Sequence, residues 1–322
     1  MKRAMHERYG GPDVLELRDV DVPEPGDDEV LVRVRAAALN RLDWYGLNGT
    51  PYVGRIAMGI RRPREGTVGV DFAGTVEAVG PGVSDFRSGD EVFGCRNGAL
   101  AEYVCAGEAL ALKPSSLGYE AAAALPVAAL TGLQALRDKG GLRTGQRVLV
   151  NGASGGVGTF TVQIAKALGG QVTAVCGPSG VEIARSLGAD EVVDYSREDF
   201  TRSGRRHDLL VDIAGDRPWR HLRRALAPQA TLVIVGGPMK PALGPLGHIA
   251  ATKVRALPAS QKAVFFVARP NRADLETLAE LADAGKLEPV VDRTYPLEQA
   301  AEALRHLGTG HPRGKVVVSV SR

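Results

Sequence analysis

Cysteine is scarce in this chain of 322 residues, which contains three. Cys95, Cys105 and Cys176 are widely spaced and odd in number, so they provide neither a disulfide framework nor a paired metal-binding motif. We expect all three to be reduced and to pack as small, partly buried apolar residues. The sequence therefore excludes the class of small proteins that depend on disulfides or structural zinc.

Long apolar runs are missing as well. The most apolar stretch, residues 121–136, is interrupted by Pro126, Thr131 and Gln134 and falls short of the about 20 residues that span a bilayer. Residues 7–9 are Glu, Arg and Tyr, where a signal peptide would need an apolar run. We expect a cytoplasmic protein that has no membrane partner.

A strong excess of one charge is also absent. Lys and Arg number 40 against 37 Asp and Glu, for a formal net charge of +3, and the basic residues are scattered. No basic stripe marks a nucleic-acid partner. The hydrophobic content of 44% and charged content of 24% are ordinary for a soluble globular protein. Because domains usually contain about 100–200 residues, this length predicts two domains.

The chain up to about Pro114 reads as short strands joined by turns. Val30, Val32 and Val34 are predicted to face one way and Leu31, Arg33 and Arg35 the other, which suits a half-buried strand over residues 28–38. Frequent glycine and proline between residues 69 and 92 predict β-turns. This part is typical of a compact, irregular, β-rich domain.

After Pro114 the pattern becomes a regular alternation of strands and helices, which predicts a parallel sheet covered by helices. The C-terminal segment again has the strand-rich pattern of the N-terminal part. We predict one domain at 1–118, completed by 268–322, and an α/β domain at 119–267. The predicted elements are helices 119–139, 157–168, 181–187, 218–226, 272–284 and 297–307, and strands 147–150, 171–176, 191–194, 208–213, 230–235, 263–267 and 315–320.

A glycine-rich turn between strand 147–150 and helix 157–168 is the strongest local signal. Its first glycine allows a tight exit from the strand, the middle pair allows a pyrophosphate close to the backbone, and the last allows helix and sheet to pack closely. The helix N-terminus adds unpaired N–H groups and a positive dipole end. The alternative is a purely structural turn. The predicted dinucleotide-binding residues here are Gly152, Ser154, Gly155, Gly156, Val157 and Gly158.

The end of the second α/β strand bears on the choice of cofactor. NAD enzymes place an Asp or Glu there against the ribose 2′-hydroxyl. Residues 175–180 contain no carboxylate, and Gly177 and Ser179 leave room and donors for a 2′-phosphate. This favours NADPH over NADH, although no Arg or Lys is adjacent and Arg185 lies well into the following helix.

Several motifs together resemble the zinc-independent quinone oxidoreductase branch of the medium-chain dehydrogenase/reductase superfamily. The resemblance spans nearly the whole chain. It implies an α/β protein with a GroES-like β-rich catalytic domain, a Rossmann doubly wound parallel-sheet domain, an active-site cleft between them, and commonly a homodimer. The segments that carry it are 69–76 with 79–80 and 89–90, the glycine turn 152–158, 187–190 with 194–195, and 313–317.

The sequence departs from the zinc-dependent alcohol dehydrogenases of that superfamily. Val70 stands where their ligand histidine would be, and Asn40 stands where their first ligand cysteine would be. A catalytic zinc needs three protein ligands, and Asp71 alone cannot supply them. We therefore expect no zinc, and reduction of an activated, conjugated acceptor instead of alcohol oxidation.

The resemblance also implies catalytic residues. Asn40 is similar to the family's active-site asparagine; the alternative is a cap or turn former at the end of a strand. Thr131 is similar to the family's threonine near the nicotinamide; the alternative is a helix residue whose hydroxyl is already hydrogen-bonded within the protein. Asp43 is either functional or a helix cap. The proton is expected from water or from a tyrosine, Tyr52 or Tyr45.

Further cofactor contacts are implied by the same resemblance. Tyr195 is expected beside the 2′-phosphate or in the core. Arg313 or Lys315 is expected either to supply a positive charge to the cofactor phosphate or to lie on the solvated surface. Phe265 and Phe266 are expected to line the cofactor site, to pack in the core or to lie at a subunit interface. The residues are Tyr195, Gly236, Gly237, Phe265, Phe266, Val267, His311, Arg313 and Lys315.

The sequence as a whole predicts an NADPH-dependent enzyme that transfers hydride to a quinone or another conjugated carbonyl compound. Two alternatives stay open. One is an enoyl or alkenal double-bond reductase. The other, from a different class, is a non-catalytic NADPH-binding sensor or structural protein.

Overall fold

The computed structural model describes residues 1–215, 217–237, 242, 244–310 and 312–320. Two compact units divide the chain: Met1–Leu130 with Arg269–Arg322, and Thr131–Ala268. The first division falls after Leu130, later than the sequence-based boundary after Gly118, because the helix that begins at Tyr119 packs on strands of the first unit.

The described residues form fifteen strands. They are β1 (Lys2–Met5), β2 (Glu16–Asp19), β3 (Val30–Leu39), β4 (Asp71–Val79), β5 (Glu91–Cys95), β6 (Tyr103–Ala106), β7 (Leu110–Leu112), β8 (Arg147–Asn151), β9 (Gln171–Cys176), β10 (Glu191–Asp194), β11 (His207–Asp212), β12 (Leu226–Ile234), β13 (Lys262–Phe265), β14 (Val291–Pro296) and β15 (Lys315–Ser319).

The helices in the described part of the chain are all too short or too polar to cross a membrane. The α-helices are α1 (Arg41–Asn48), α2 (Arg55–Met58), α3 (Tyr119–Ala124), α4 (Pro126–Gln134), α5 (Gly156–Ala167), α6 (Val181–Ser186), α7 (Trp219–Leu222), α8 (Leu246–Ala256), α9 (Arg272–Asp283) and α10 (Ala300–Gly308).

The first unit is built on a sheet in the order β14-β15-β3-β4-β5-β7, with β6 also paired to β3. β3 lies near its centre and is buried along most of its length, with Arg33 exposed. The predicted alternation therefore understated its burial, since Leu31 is also buried. β15 pairs antiparallel with β3, matching Val316 to Leu39, so the C-terminal segment completes the sheet that the first hundred residues begin.

The second unit is a six-stranded parallel sheet in the order β10-β9-β8-β11-β12-β13. This confirms the predicted doubly wound fold. The apolar interior positions of the central strands, such as Leu149, Leu210 and Leu232, are fully buried because helices cover the sheet. The direction of strand order reverses between β8 and β11, and ligands of such sheets bind at the carboxyl ends of the strands at that point.

Candidate functional site

The glycine turn of the second unit joins β8 to α5. Gly152 adopts a positive φ of 94°, which favours glycine. A Cβ on Gly158 would lie 2.0 Å from the Gly152 carbonyl oxygen, so the first turn of α5 rests directly on the turn backbone. The predicted roles of these two glycines, tight exit and close packing, match this geometry.

The N-terminus of α5 is open to a ligand. Gly155 precedes the helix in an extended conformation, and none of the described side chains caps it. A Cβ on Gly155 would meet only the Gly152 oxygen at 3.7 Å, so the space beside this glycine is open. Unpaired N–H groups and a positive dipole end suit a phosphate, and this turn therefore fits a dinucleotide pyrophosphate.

The end of β9 is shaped by Gly177 and Tyr195. A Cβ on Gly177 would stand 2.8 Å from the Tyr195 hydroxyl, so the phenol reaches over this glycine. Tyr195 is 54% exposed, and the alternative of a buried core tyrosine is wrong. Ser179 is also exposed in the short turn Pro178–Gly180. Gly177, Ser179 and Tyr195, which are predicted to lie near a 2′-phosphate, thus share one corner after β9 and β10.

Other predicted cofactor residues also follow carboxyl ends of strands in this sheet. Gly236 and Gly237 come shortly after β12, and Phe265 ends β13. Phe265 and Phe266 are half-buried, and Lys139 lies 5.9 Å from the Phe266 ring centroid. These positions share the sheet edge that carries the glycine turn. Val267 is exposed, and His311 lies outside the described residues.

Sequence reasoning missed two buried polar residues at the reversal of strand order. Asn151 ends β8 and Asp212 ends β11, and the Asn151 amide donates to Asp212 Oδ1 at 2.8 Å. The Gly215 N–H donates to the same oxygen at 3.0 Å. These bonds hold the loop after β11 against the glycine turn. The available signal was a polar residue closing each of two apolar strands.

In the first unit three side chains meet at strand ends, and we call them the Asn40 cluster: Asn40, Asp71 and Lys315. The Lys315 Nζ donates to Asn40 Oδ1 at 2.7 Å and to Asp71 Oδ2 at 3.0 Å, and Asn40 Nδ2 donates to Asp71 Oδ2 at 2.9 Å. Sheet register produces this contact, since Ala38 pairs with Asp71 and Leu39 with Val316. Asn40, Asp71 and Lys315 thus meet at adjacent strand ends.

The position of Lys315 corrects its predicted role. Its side chain is 2% exposed and its ammonium is paired with Asp71, so the solvated-surface alternative is wrong. Because its described bonds go to Asp71 and Asn40, it belongs to the Asn40 cluster instead of supplying charge to a cofactor phosphate. Arg313 is 57% exposed, 3.7 Å from Asp292.

The Asp71 carboxylate is fully occupied by protein donors. Besides Lys315 and Asn40 on Oδ2, the Val127 N–H donates to Oδ1 at 3.0 Å and the Cys95 thiol approaches it at 3.8 Å. Burial and the Asp71 charge hold the pKa of the Cys95 thiol well above its ordinary value, so the thiol stays protonated. Asp71 therefore anchors β4, β15 and the start of α4 to one another.

Asp43 fixes the start of α1 and confirms the helix-cap interpretation. Its carboxylate accepts the Asn40 N–H at 2.6 Å and the Gly69 N–H at 3.1 Å. Burial raises the pKa of Asp43 to about 7. The hydrogen bond from the Asn40 N–H lowers the pKa, and the nearby Asp71 charge raises it. The Lys315 charge and the Gly69 N–H make smaller contributions that lower it. Through the backbone of Asn40, Asp43 helps to position the cluster.

Asp43 is expected to make stability fall with rising pH. Its folded pKa of about 7 lies above its ordinary value of 3.8, so between these values the folded state holds a proton that the unfolded state has released. Its contribution is complete below about pH 4 and disappears by about pH 8. Thermal melts from pH 4 to 8 should show the Tm advantage of the wild type over Asp43→Asn shrinking by several degrees. A constant Tm difference would contradict the assignment.

The predicted tyrosines and threonine occupy distinct positions. Tyr52 is 53% exposed in the turn Tyr52–Gly54, with the Arg55 guanidinium 4.8 Å from its ring centroid. Tyr45 is half-buried on α1, 5.6 Å from the Arg41 guanidinium. Thr131 is nearly buried on α4 and opens the second unit.

Comparison with known proteins decides the family. The Alcohol dehydrogenase GroES-like domain model matches residues 26–119, and the Zinc-binding dehydrogenase model matches residues 187–318. The Chloroplast envelope quinone oxidoreductase homolog of Arabidopsis thaliana is 35% identical over 99% of this chain and 98% of its own length. The chain belongs to the medium-chain dehydrogenase/reductase superfamily as a quinone oxidoreductase-like member. This confirms the resemblance found in the sequence.

Two further proteins are similar to this quinone oxidoreductase-like chain over nearly its whole length. The NADPH-dependent alkenal/one oxidoreductase of Arabidopsis thaliana is 33% identical over 99% of this chain and 79% of its own length. The quinone oxidoreductase structure from Coxiella burnetii superposes with a TM-score of 0.87 at 30% identity, covering 100% of this chain and 99% of that one. The chain is an oxidoreductase of this family that uses a nicotinamide cofactor and acts on a small molecule.

Proposed function

We propose that this quinone oxidoreductase-like enzyme uses NADPH to reduce a quinone or a related conjugated carbonyl compound without zinc. The observation that carries the proposal is the Asn40 cluster. It presents a fixed amide where the zinc enzymes of the superfamily place their metal ligands. Hydrogen-bond donors held in place before the reaction stabilise charge as it develops on a substrate oxygen.

In the proposed reaction the protein provides a hydrogen bond to the acceptor and a route for one proton. When bound, the reduced nicotinamide supplies a hydride. Asn40 Nδ2 has two hydrogens and gives one to Asp71, so its second hydrogen, which has no partner among the described residues, donates to the acceptor oxygen. Completing a two-electron reduction also takes a proton, which reaches that oxygen from water, Tyr52 or Tyr45.

Zinc independence rests on the contacts of Asp71. All of its described acceptor positions are filled by Lys315, Asn40, Val127 and Cys95. A divalent cation bound to Asp71 would displace these donors and would lie close to the Lys315 ammonium, which is 3.0 Å from the carboxylate. The residues present therefore do not fit a catalytic zinc.

The preference for NADPH rests on the corner formed by Gly177, Ser179 and Tyr195. Its exposed hydroxyls are donors for a 2′-phosphate, and residues 175–180 carry no competing carboxylate. One relative is named for its dependence on NADPH.

A carboxylate placed at this corner is expected to reverse the cofactor preference. Ser179→Asp puts a negative charge near the 2′-phosphate, and like charges about 5 Å apart cost roughly 1–3 kcal/mol. KM for NADPH should rise about ten- to hundredfold while KM for NADH changes little. Ser186→Asp, at the far end of α6, adds the same charge and serves as the control. An unchanged KM for NADPH in Ser179→Asp would show that the 2′-phosphate binds elsewhere.

The test of the function is oxidation of NADPH and NADH by the purified protein with 1,4-benzoquinone, 9,10-phenanthrenequinone and a simple enone, with and without chelator. Turnover of the quinones that prefers NADPH and survives chelation is the expected result. Chelator-sensitive oxidation of alcohols would overturn it. Tight NADPH binding without turnover of any acceptor would favour the non-catalytic sensor or structural class.

An enone reductase is the second candidate, favoured by the similarity to the alkenal/one oxidoreductase. The same assay separates the two. Both reactions need the same hydride and the same oxygen contact, so the relative rates with the two kinds of acceptor distinguish them. A kcat/KM for the enone that exceeds those for both quinones by tenfold or more would assign the chain to double-bond reduction.

We also propose a homodimer formed through the edge strand β13. The strand has a neighbour, β12, on one side, and its side chains are half-buried or exposed. The helix α8 packs on this strand, and exposed apolar residues lie on α8, directly after it and shortly after β13: Val254, Leu257 and Val267. Edge strands and apolar patches of this kind associate readily. Light scattering after gel filtration is expected to give twice the chain mass of 33.9 kDa.

A further inference from the structure

The Lys315 side chain occupies a position that the proposed reaction does not by itself explain. It is 2% exposed, it pairs with the Asp71 carboxylate, which is fully buried, and its second described contact is the Asn40 amide oxygen at 2.7 Å. A buried ion pair is weak support for stability compared with apolar residues of the same size. The pair is therefore better explained by what it does to Asn40.

We infer that Lys315 is a positioning residue that, with Asp71, locks the Asn40 amide in a single orientation and polarises it toward the substrate oxygen. This inference rests on the proposed function, because it assigns a role to the amide that contacts the acceptor. It adds a residue from the far end of the chain to the site.

The orientation follows from donor and acceptor chemistry. An ammonium only donates and an ionised carboxylate only accepts, whereas an amide has one end of each kind. With Oδ1 toward Lys315 and Nδ2 toward Asp71, both contacts are satisfied. A half-turn of the amide would place its NH₂ against the ammonium and its oxygen against the carboxylate, so both contacts would become repulsive. One orientation therefore remains.

The backbone holds the ammonium in place. Gly314 has a φ of 105° and no room for a side chain, because a Cβ there would lie 2.2 Å from the Val290 carbonyl oxygen. The Lys315 N–H donates to that same oxygen at 2.8 Å. The next residue, Val316, is paired with Leu39 on β3. Lys315 and Asn40 are thus fixed by one sheet, and their contact does not depend on a mobile loop.

The ammonium also strengthens the amide as a donor. A cation hydrogen-bonded to an amide oxygen draws electron density from the nitrogen, and linked hydrogen bonds of this kind reinforce one another. The remaining Nδ2 hydrogen of Asn40 then donates more strongly to an oxygen that gains negative charge during hydride transfer. Loss of Lys315 is therefore expected to lower kcat more than it raises KM.

A double-mutant cycle between Asn40 and the ion pair tests the inference. The ion pair is removed as Asp71→Asn with Lys315→Met, which leaves no buried charge without a partner, and Asn40→Ala is made alone and in that background. We expect Asn40→Ala and the paired variant each to lower quinone kcat by about ten- to hundredfold at unchanged NADPH affinity. The triple variant should be no slower than the slower of these two.

Multiplicative losses in the triple variant would overturn the inference, because an ion pair that only supports the fold leaves the contribution of Asn40 intact. Asp85→Asn with Arg272→Met removes an exposed ion pair of the same unit, 2.6 Å long, and serves as the control expected to keep wild-type kcat. Thermal melts of every variant show how much of each loss comes from unfolding.

A second measurement needs no turnover. In protein labelled with ¹⁵N-asparagine, the side-chain NH₂ signal missing from Asn40→Ala identifies Asn40, and slow hydrogen exchange of one of its two protons is expected in the wild type. Lys315→Gln, which keeps a donor but not the charge, should shift this signal and speed its exchange. An unchanged signal overturns the inference. Absent turnover of every acceptor by a wild type with the expected signal would instead overturn the proposed function alone.

Discussion

Replacing Asp71 by alanine is expected to lower the free energy of unfolding of the first unit by about 3–5 kcal/mol. The substitution leaves the Lys315 ammonium buried without its counter-charge, and it removes the acceptor for the Asn40 amide and the Val127 N–H. A buried charge without its partner destabilises the fold by more than the intact ion pair stabilises it, because the desolvation cost of the charge is no longer offset by attraction to the partner.

The matched control removes both charges. Asp71→Asn with Lys315→Met should recover most of the lost stability. It leaves no unpaired buried charge, and it avoids the cavity that truncation of Asp71 to alanine creates. Urea unfolding followed by circular dichroism, analysed for each unit separately, measures the three proteins. A loss below about 1 kcal/mol in Asp71→Ala would show that the ammonium escapes to solvent, and would contradict the packing described for Lys315.

The fold of the second unit and the glycine turn were predictable because their signals are local. The strand, glycine turn and helix lie within about twenty consecutive residues, and the apolar periods of β8, β9 and α5 follow from the burial of each element on its own. β14 and α8 were missed, because β14 has polar residues at several positions and α8 exposes apolar ones. Their structure depends on neighbours that the local sequence does not contain.

The Asn40 cluster could be predicted only in part. Asn40 was found through the resemblance, yet Lys315 contacts Asp71 across 244 residues of chain, and no local pattern reports the register of β15 on β3. A lysine two residues after an arginine is typical of solvated surface. Its burial follows from sheet pairing, so its role could be assigned only from the structure.

The glycine turn allows the fold and the cofactor site to be tested separately. Gly158→Ala is expected to destabilise the second unit by several kcal/mol and to abolish NADPH binding, since its Cβ would stand 2.0 Å from the Gly152 oxygen and 2.7 Å from the Ala153 carbonyl carbon. Both atoms are backbone, so relief requires α5 to move away from β8. Fluorescence titration of NADPH and thermal melts measure the two effects.

Gly155→Ala is the matched variant at the same turn. Its φ of −82° suits alanine and its Cβ would meet only an ordinary contact at 3.7 Å, so Tm should stay close to the wild type. The same methyl group would extend into the open space at the glycine turn, where we expect the pyrophosphate to bind, and should weaken NADPH binding at least tenfold. If Gly155→Ala bound NADPH normally, the turn would be structural and the cofactor phosphates would lie elsewhere. A stable fold with weakened binding separates the cofactor role of Gly155 from the packing role of Gly158.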